Sequence, residues 1–508
     1  MSDDSGAAIE LSSLQSISRG ASLFIVGKVV LDVLEFVLNL VLTRTLGSSL
    51  YGVFAYANTL VMIALVFTSL GSDNALLKYV PQYEDDPTKQ RLMIGLAYLT
   101  SFLASFVVAA GLFAFAPAIT QYTLDEPLLV DVLRLFAILL IFDTLIRIIN
   151  TTFRSFEVLE YQVLIDNFAK PTFRLLAVGA ALIVGLPFFG VMAAIVVASS
   201  LTFAFALYLF LTRLSVRPSI RSPAPTRREL VEYYNFSVPL MVKDAGGILR
   251  RRVDVLMVGF FLSSTAVGIY NVTLLIAGML SLPLAAINQL FPPVAARLYS
   301  NGNLPELNAV FSIVTRWAFT VSLFLGLVAI VYRSELLALF GSEFTAGASV
   351  LVFFVFSGVI GTATGPSGYV LMISEHQYVL LANQWVFGVL NVFLNYWFIL
   401  EFGLIGAAFA TATVGILVNV ARVLEIWYLE GLYPYTWNFV KPLAAGAVSA
   451  VVMYVVSRLA IGLPSVAIGF ILGLGGYVLA LVLLGIDRQD REFFSTTISP
   501  VLHGLRGR

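Results

Sequence analysis

Apolar runs of about twenty residues recur along this chain from residue 21 to residue 486, and that is the length an α-helix needs to cross the hydrocarbon core of a bilayer. Fourteen such spans can be drawn: 21–43, 51–71, 92–116, 127–152, 160–184, 187–212, 235–261, 265–291, 307–332, 346–372, 377–400, 403–427, 440–461 and 465–486. Only 12% of the residues are charged and 59% are hydrophobic, against about 25% charged in an ordinary soluble domain. A water-soluble fold of this length has too little interior for that much apolar surface, so lipid must solvate it. The expected fold class is an all-α polytopic membrane protein.

Several chemistries are excluded at once. Without cysteine there are no disulfides, thiolate metal sites or cysteine nucleophiles, and His376 and His503 are too few for a histidine metal site. No phosphate-binding Gly-x-x-x-x-Gly-Lys-Ser/Thr motif occurs, and the connections between spans leave no room for a nucleotide-binding or sugar-transferring domain. Neither nucleotide nor nucleic acid is an expected partner, no metal or organic cofactor is expected, and the chain does not read as an enzyme.

Positive charge orients the spans. With the N-terminus inside, the inner segments hold 16 basic residues and the outer segments hold 3, Arg44, Arg333 and Arg458, which predicts an N-in, C-in topology. An internal repeat appears at an offset of 216. Leu46-Gly-Ser-Ser-Leu-Tyr-Gly52-Val-Phe54 falls on Leu262-Ser-Ser-Thr-Ala-Val-Gly268-Ile-Tyr270, Gln162-Val-Leu-Ile-Asp-Asn167 on Tyr378-Val-Leu-Leu-Ala-Asn383, and Gly190 on Gly406. The unit is six spans, repeated in the same orientation, with two spans appended. The expected organisation is a cytoplasmic tail at 1–20, an N-lobe at 21–212, a Pro-, Ser- and Arg-rich cytoplasmic linker at 213–233, a C-lobe at 234–431, the last two spans within 432–486, and a second cytoplasmic tail at 487–508. Two like-oriented six-span lobes are transporter architecture.

Charged side chains at mid-bilayer cost about 2.5–3.5 kcal/mol each on insertion scales, so those that remain need a partner or a wet cavity. The first span carries Lys28, Asp32 and Glu35 on one stripe, and the fifth carries Asp166, Lys170 and Arg174 on another. The fourth adds Asp143 and Arg147, four residues apart, and the seventh adds Lys243, Asp244, Arg250, Arg251, Arg252 and Asp254. Ion pairs account for part of this set. With Glu160 and Glu425 set aside at the ends of their spans, 11 basic residues face seven acids, and the excess points to a positive cavity for an anionic substrate, with Arg as the better phosphate fork. Lys28, Lys170, Arg174, Arg250 and Arg251 are the candidate phosphate ligands. Asp32, Glu35, Asp143, Arg147, Asp166 and Asp254 are the candidate ion-coupling groups or charge partners, with Na+ or H+ as the coupling ion. The Arg250–Arg252 triplet also permits a seventh span that begins only at Val253, which would make the triplet an ordinary inner anchor. Gly246-Gly247 and Gly365-Pro366 are candidate hinges for alternating access, and static kinks or close helix packing explain them equally well.

The motif Leu46-Gly-Ser-Ser-Leu-Tyr-Gly52, the run Phe340-Gly-Ser-Glu-Phe-Thr-Ala-Gly-Ala348 and the opening Gly403-Leu-Ile-Gly406-Ala-Ala408, set in fourteen spans grouped six, six and two, resemble the multidrug/oligosaccharidyl-lipid/polysaccharide exporter superfamily. Within it the chain is most similar to the polysaccharide-biosynthesis branch of O-antigen-type lipid-linked oligosaccharide flippases. The resemblance implies a multi-pass protein of the cell membrane that moves a polyprenyl (di)phosphate-linked glycan from the cytoplasmic to the outer leaflet. It also implies membrane lipids and glycan-assembly enzymes as partners, and a groove for the lipid tail beside the last two spans. The excess of Arg (24) over Lys (6) and the acidic N-terminus resemble haloarchaeal usage, in which the carrier would be a dolichyl phosphate. A cation-coupled drug or metabolite antiporter of the same superfamily is the alternative, and Asp32, Glu35 or Asp166 would then titrate.

Overall fold

The computed structural model describes residues 3–124, 126–219 and 224–485, with side chains described from Gly27 onward except at 249 and 250. Among the described residues every regular element is helical, and no strand occurs. The chain forms two compact units: one comprises Met1–Asn271 and Gln384–Leu404, the other Val272–Asn383 and Ile405–Arg508. The first unit takes in the seventh span, which packs against the first, and part of the long helix after residue 377.

In the first unit, α1 (Asp3–Thr68) is interrupted at Gly47, whose φ of 74° and ψ of 177° suit a residue without Cβ. A short helix, α2 (Ser72–Gln82), follows where a loop was expected. Next, α3 (Pro87–Tyr122) opens with Pro87 at its first position and with the Asp86 carboxylate accepting the backbone N–H groups of Thr88 and Lys89. After α4 (Pro127–Ser155) come α5 (Leu159–Val163), a π-helical turn at Leu164–Ala169 and α6 (Lys170–Ile183), which form one interrupted helix. Then α7 (Phe188–Arg213) precedes α8 (Arg227–Phe261), which starts with a reciprocal cap between Thr226 and Glu229. The first half of α9 (Ser264–Gly278) completes this part of the unit. Buried Ile146, Ile149, Phe153, Ile165, Leu209 and Phe210 form one core of the unit, and Tyr79, Leu92, Met93, Leu96 and Tyr233 form another.

The second unit contains α10 (Leu282–Ser300), α11 (Leu304–Val331), the short α12 (Arg333–Ala338), then α13 (Ala348–Ala363) and α14 (Ser367–Ile373). Its remainder is the second part of α15 (Gln377–Glu430), followed by α16 (Val440–Leu459) and α17 (Leu463–Leu483). The long α15 is broken at Gly403 (φ 59°, ψ −135°). The expected tenth span is broken as well, at Gly365 (φ 60°), into α13 and α14. Gly469 and Gly473 let α17 lie against Tyr332 and Met453, where a Cβ would fall 1.7 Å from the Tyr332 hydroxyl and 2.7 Å from Met453 Cγ.

Nine helical stretches among the described residues are long and apolar enough to cross a membrane, and two of them contain the breaks at Gly47 and Gly403. The charged helices α4, α6 and α8 are not among the nine. Large apolar side chains such as Val107, Phe115 and Ile183 stand exposed on the outer faces, as in a protein solvated by lipid. The chain is a multi-pass membrane protein.

Candidate functional site

The charged stripe of α1 begins at Lys28, which is ion-paired with Asp32 one turn on. Glu35 extends the stripe to Arg174, at 4.0 Å. One turn further, the Asn39 amide donates to the Glu35 carbonyl (2.7 Å), the Tyr51 hydroxyl donates to the Asn39 side chain (2.7 Å), and the Asn271 amide donates to that hydroxyl (2.8 Å). Gly27 permits this helix to close on the interrupted helix beside it, since a Cβ there would lie 2.7 Å from Val163 Cγ1.

Helix α4 meets the Asp166, Lys170 and Arg174 stripe with two groups seven residues apart. Asn150 donates to Asp166 at 2.6 Å, while Lys170 and Arg174 converge on Asp143 at 3.1 and 3.2 Å. The pairing descends one helix as it climbs the other, which is antiparallel register. Pro171 has no N–H to return to the Asn167 carbonyl, and the π-helical turn that holds Asp166 ends just before it. The sequence spacing suggests an Asp143–Arg147 pair within α4. The structure differs. Asp143 is buried against the two cations of the facing helix, and Arg147 reaches out to Asp73 in the first turn of α2, which Ser69 also bonds at 3.1 Å.

Lys28, Arg147, Lys170 and Arg174 therefore each hold a carboxylate. Asp73, which belongs to a helix read as loop, enters the same set, so the network is closer to neutral than a count by spans implies. Two of its buried atoms, Asp143 Oδ1 and Arg174 Nε, have no hydrogen-bond partner among the described residues.

On α8, Asp244 lies 4.0 Å from Lys243 and accepts from Asn74 at 3.2 Å. The helix is continuous from Arg227 to Phe261, so Arg251 and Arg252 sit within it and Val253 is not its start. Arg251 is exposed and forms no ion pair among the described residues; the side chain of Arg250 lies outside them. Asp254 is buried, accepting from the Tyr270 hydroxyl (2.8 Å) and the Val255 backbone (2.9 Å). Gly246 and Gly247 lie inside the continuous α8. They seat it against Trp385 and Gln384, and a Cβ on Gly247 would come within 2.7 Å of the Gln384 amide. Gly365 and Pro366 do mark a break, and a Cβ on Gly365 would fall 1.9 Å from Thr315 Oγ1. Among the described residues no three His, Cys, Asp or Glu side chains converge as a metal site.

A polar seam thus joins α1 to α4 and α6 within an apolar bundle. Residues 17–297, more than half of the chain, match the family model described as "Polysaccharide biosynthesis protein". The chain belongs to this family. Two relatives from Haloferax volcanii share 26% identity with it. "Probable low-salt glycan biosynthesis flippase Agl15" aligns over 44% of this chain and 47% of its own length, and "Probable flippase AglR" over 55% and 59%. The chain thus spans about half the length of the curated relatives it matches. Among solved structures, the lipid II flippase MurJ in an inward closed conformation superposes with a TM-score of 0.71 at 13% identity, over 91% of this chain and 98% of its own. An inward-facing multidrug resistance MATE family transporter of the MOP superfamily gives 0.61 at 14%, over 80% and 93%. At those identities the likeness is one of fold, and it places this family member in the MurJ- and MATE-like architecture.

Sequence reasoning missed Asp73, Asn39, Tyr51, Asn150 and Asn271. Tyr51 lies inside the Leu46–Gly52 motif, and Asn150 falls seven residues after Asp143 on one helical face. Those two carried a readable signal. The others did not.

Proposed function

We propose that this protein is a flippase that carries a polyprenyl- or dolichyl-(di)phosphate-linked oligosaccharide from the cytoplasmic to the outer leaflet of the cell membrane by alternating access. The observation that carries the reading is a set of cations held within helices by carboxylates that a phosphate can replace: Lys28 on Asp32, and Lys170 and Arg174 on Asp143, with Arg251 exposed on α8. Membership in the polysaccharide biosynthesis family supports it, as do the names of the Haloferax relatives and of MurJ. In this reading all fourteen helical segments cross the membrane, with both termini on the cytoplasmic side, and the charged α4, α6 and α8 cross because the seam neutralises them. Na+ or H+ drives the cycle through Asp32, Glu35 or Asp166, and glycan-assembly enzymes supply the substrate.

The test is made in cells lacking the protein, by following the membrane face on which the lipid-linked glycan accumulates. Build-up on the inner face, relieved by the wild type but not by Arg174→Gln or Arg251→Ala, supports the flippase. A normal distribution in the deletion overturns it in favour of a cation-coupled antiporter.

A further inference from the structure

An open surface pocket of about 470 Å³ is formed by α2, the helix that also carries Asp73, and the first turns of α8. Lys78, Tyr79, Arg228, Glu232 and Phe236 line it. The Lys78 ammonium stands 4.0 Å from the centre of the Phe236 ring and 4.7 Å from that of Tyr79, so two aromatic faces hold it. Neither Lys78 nor Arg228 has an ion-pair partner among the described residues. Cation–π contact fixes the lysine in place without neutralising it, and the exposed Arg228 fork completes a cationic rim that the single carboxylate of Glu232 does not balance. Tyr79 also stacks on Tyr83 and Tyr233, so the ring beneath Lys78 is fixed by the buried core behind it.

A second observation concerns what lies below the rim. On one face of α8, Val231, Val238 and Val242 are 51%, 36% and 46% exposed at i, i+7 and i+11, with the exposed Asn235 between the first two. A cationic pocket beside exposed valines on the same helix face matches a phosphate joined to acyl chains.

We propose that this pocket binds the headgroup phosphate of an anionic phospholipid, between Lys78 and Arg228, with one chain laid along Val231, Val238 and Val242. The assignment does not depend on what the charged seam transports.

Native mass spectrometry of the full chain released from detergent tests it, with phosphatidylglycerol and phosphatidylcholine added singly and glycerol 3-phosphate as a probe without chains. Phosphatidylglycerol should bind in preference to phosphatidylcholine, and Lys78→Met and Arg228→Gln should each lower its apparent affinity about fivefold, as expected for one basic residue near a lipid surface. Glu232→Gln keeps both cations and the fold, and should raise that affinity by about two- to fivefold. Equal binding of the two lipids, unchanged affinity in the three variants, or displacement of the lipid by millimolar glycerol 3-phosphate would each overturn the assignment. The last result would mean that the pocket takes a free phosphate.

Discussion

Gly52 and Gly268, related by the 216-residue repeat, meet at one helix crossing. A Cβ on Gly52 would fall 1.8 Å from the Ser264 carbonyl oxygen, and a Cβ on Gly268 would fall 2.2 Å from the Ser48 carbonyl oxygen. Ser48 and Ser264 are themselves 216 residues apart, so each repeat offers the other the same glycine and the same carbonyl. The Ser49 and Ser264 hydroxyls bond across the contact at 3.0 Å, and Ser264 donates to Glu126 at 2.8 Å. Self-complementary contacts of this kind arise where a duplicated segment packs on its copy.

Either glycine should therefore reject any side chain, since the obstruction is backbone. Gly52→Ala and Gly268→Ala should each destabilise the purified protein by about 1–3 kcal/mol, the usual consequence of overpacking. Gly111→Ala is the control, because a Cβ there meets nothing within 4 Å. Thermal melts of the three variants in one detergent check this, and equal melting temperatures would remove the crossing from the account of stability.

Asp143 is the single carboxylate shared by Lys170 and Arg174 and is buried. Asp143→Asn should destabilise the protein, because Lys170 then loses its paired carboxylate and Arg174 keeps only Glu35 at 4.0 Å. Adding Lys170→Met and Arg174→Met to that variant should recover most of the loss, because the orphaned charges are then gone. Chemical or thermal unfolding of the single and triple variants decides between this and a purely steric role for Asp143.

At the start of α8, Glu229 accepts from the Thr226 backbone at 2.8 Å and from its hydroxyl at 2.7 Å, and these bonds hold its carboxyl below the usual glutamate range. A folded-state pKa below the unfolded one gives stabilisation that is present at neutral pH and fades as pH falls through the folded value. Amide exchange at residues 226–230, normalised for the intrinsic rate, should quicken in the wild type only as pH falls below the usual glutamate range, where the carboxylate protonates. In Glu229→Gln the same segment should show no such step, since the glutamine caps without titrating.

The helical segments were legible because a bilayer demands one length and one composition, and the repeat was legible because glycine marks its contacts. Spacing along one helix revealed the stripes of α1 and α6, since residues four apart share a face. It did not reveal what each stripe faces, which depends on the register between helices. So Asp143 reads as a partner for Arg147 when it belongs to Lys170 and Arg174, and Asp73 goes unseen because α2 is polar and only eleven residues long. Gly246 and Gly247 show the same limit. A glycine pair in a helix suggests bending and close packing equally, and the residues it lies against, Gln384 and Trp385, are far off in sequence.

Lys28 and Asp32 separate stability from function most cleanly. Their side chains are 41% and 25% exposed, so the pair adds at most about 1 kcal/mol to folding, and Asp32→Asn should melt like the wild type. Its effect on transport should be larger. If the ammonium exchanges Asp32 for a substrate phosphate, the aspartate competes with that phosphate, and neutralising it should tighten binding of the lipid-linked glycan. Lys28→Ala should weaken binding instead, again without a change in melting temperature. In proteoliposomes, Asp32→Asn should therefore lower KM and Lys28→Ala should raise it. If Asp32 is instead the group that couples the cation, Asp32→Asn would abolish transport with substrate affinity unchanged, so opposite shifts in KM distinguish a competing carboxylate from a coupling one.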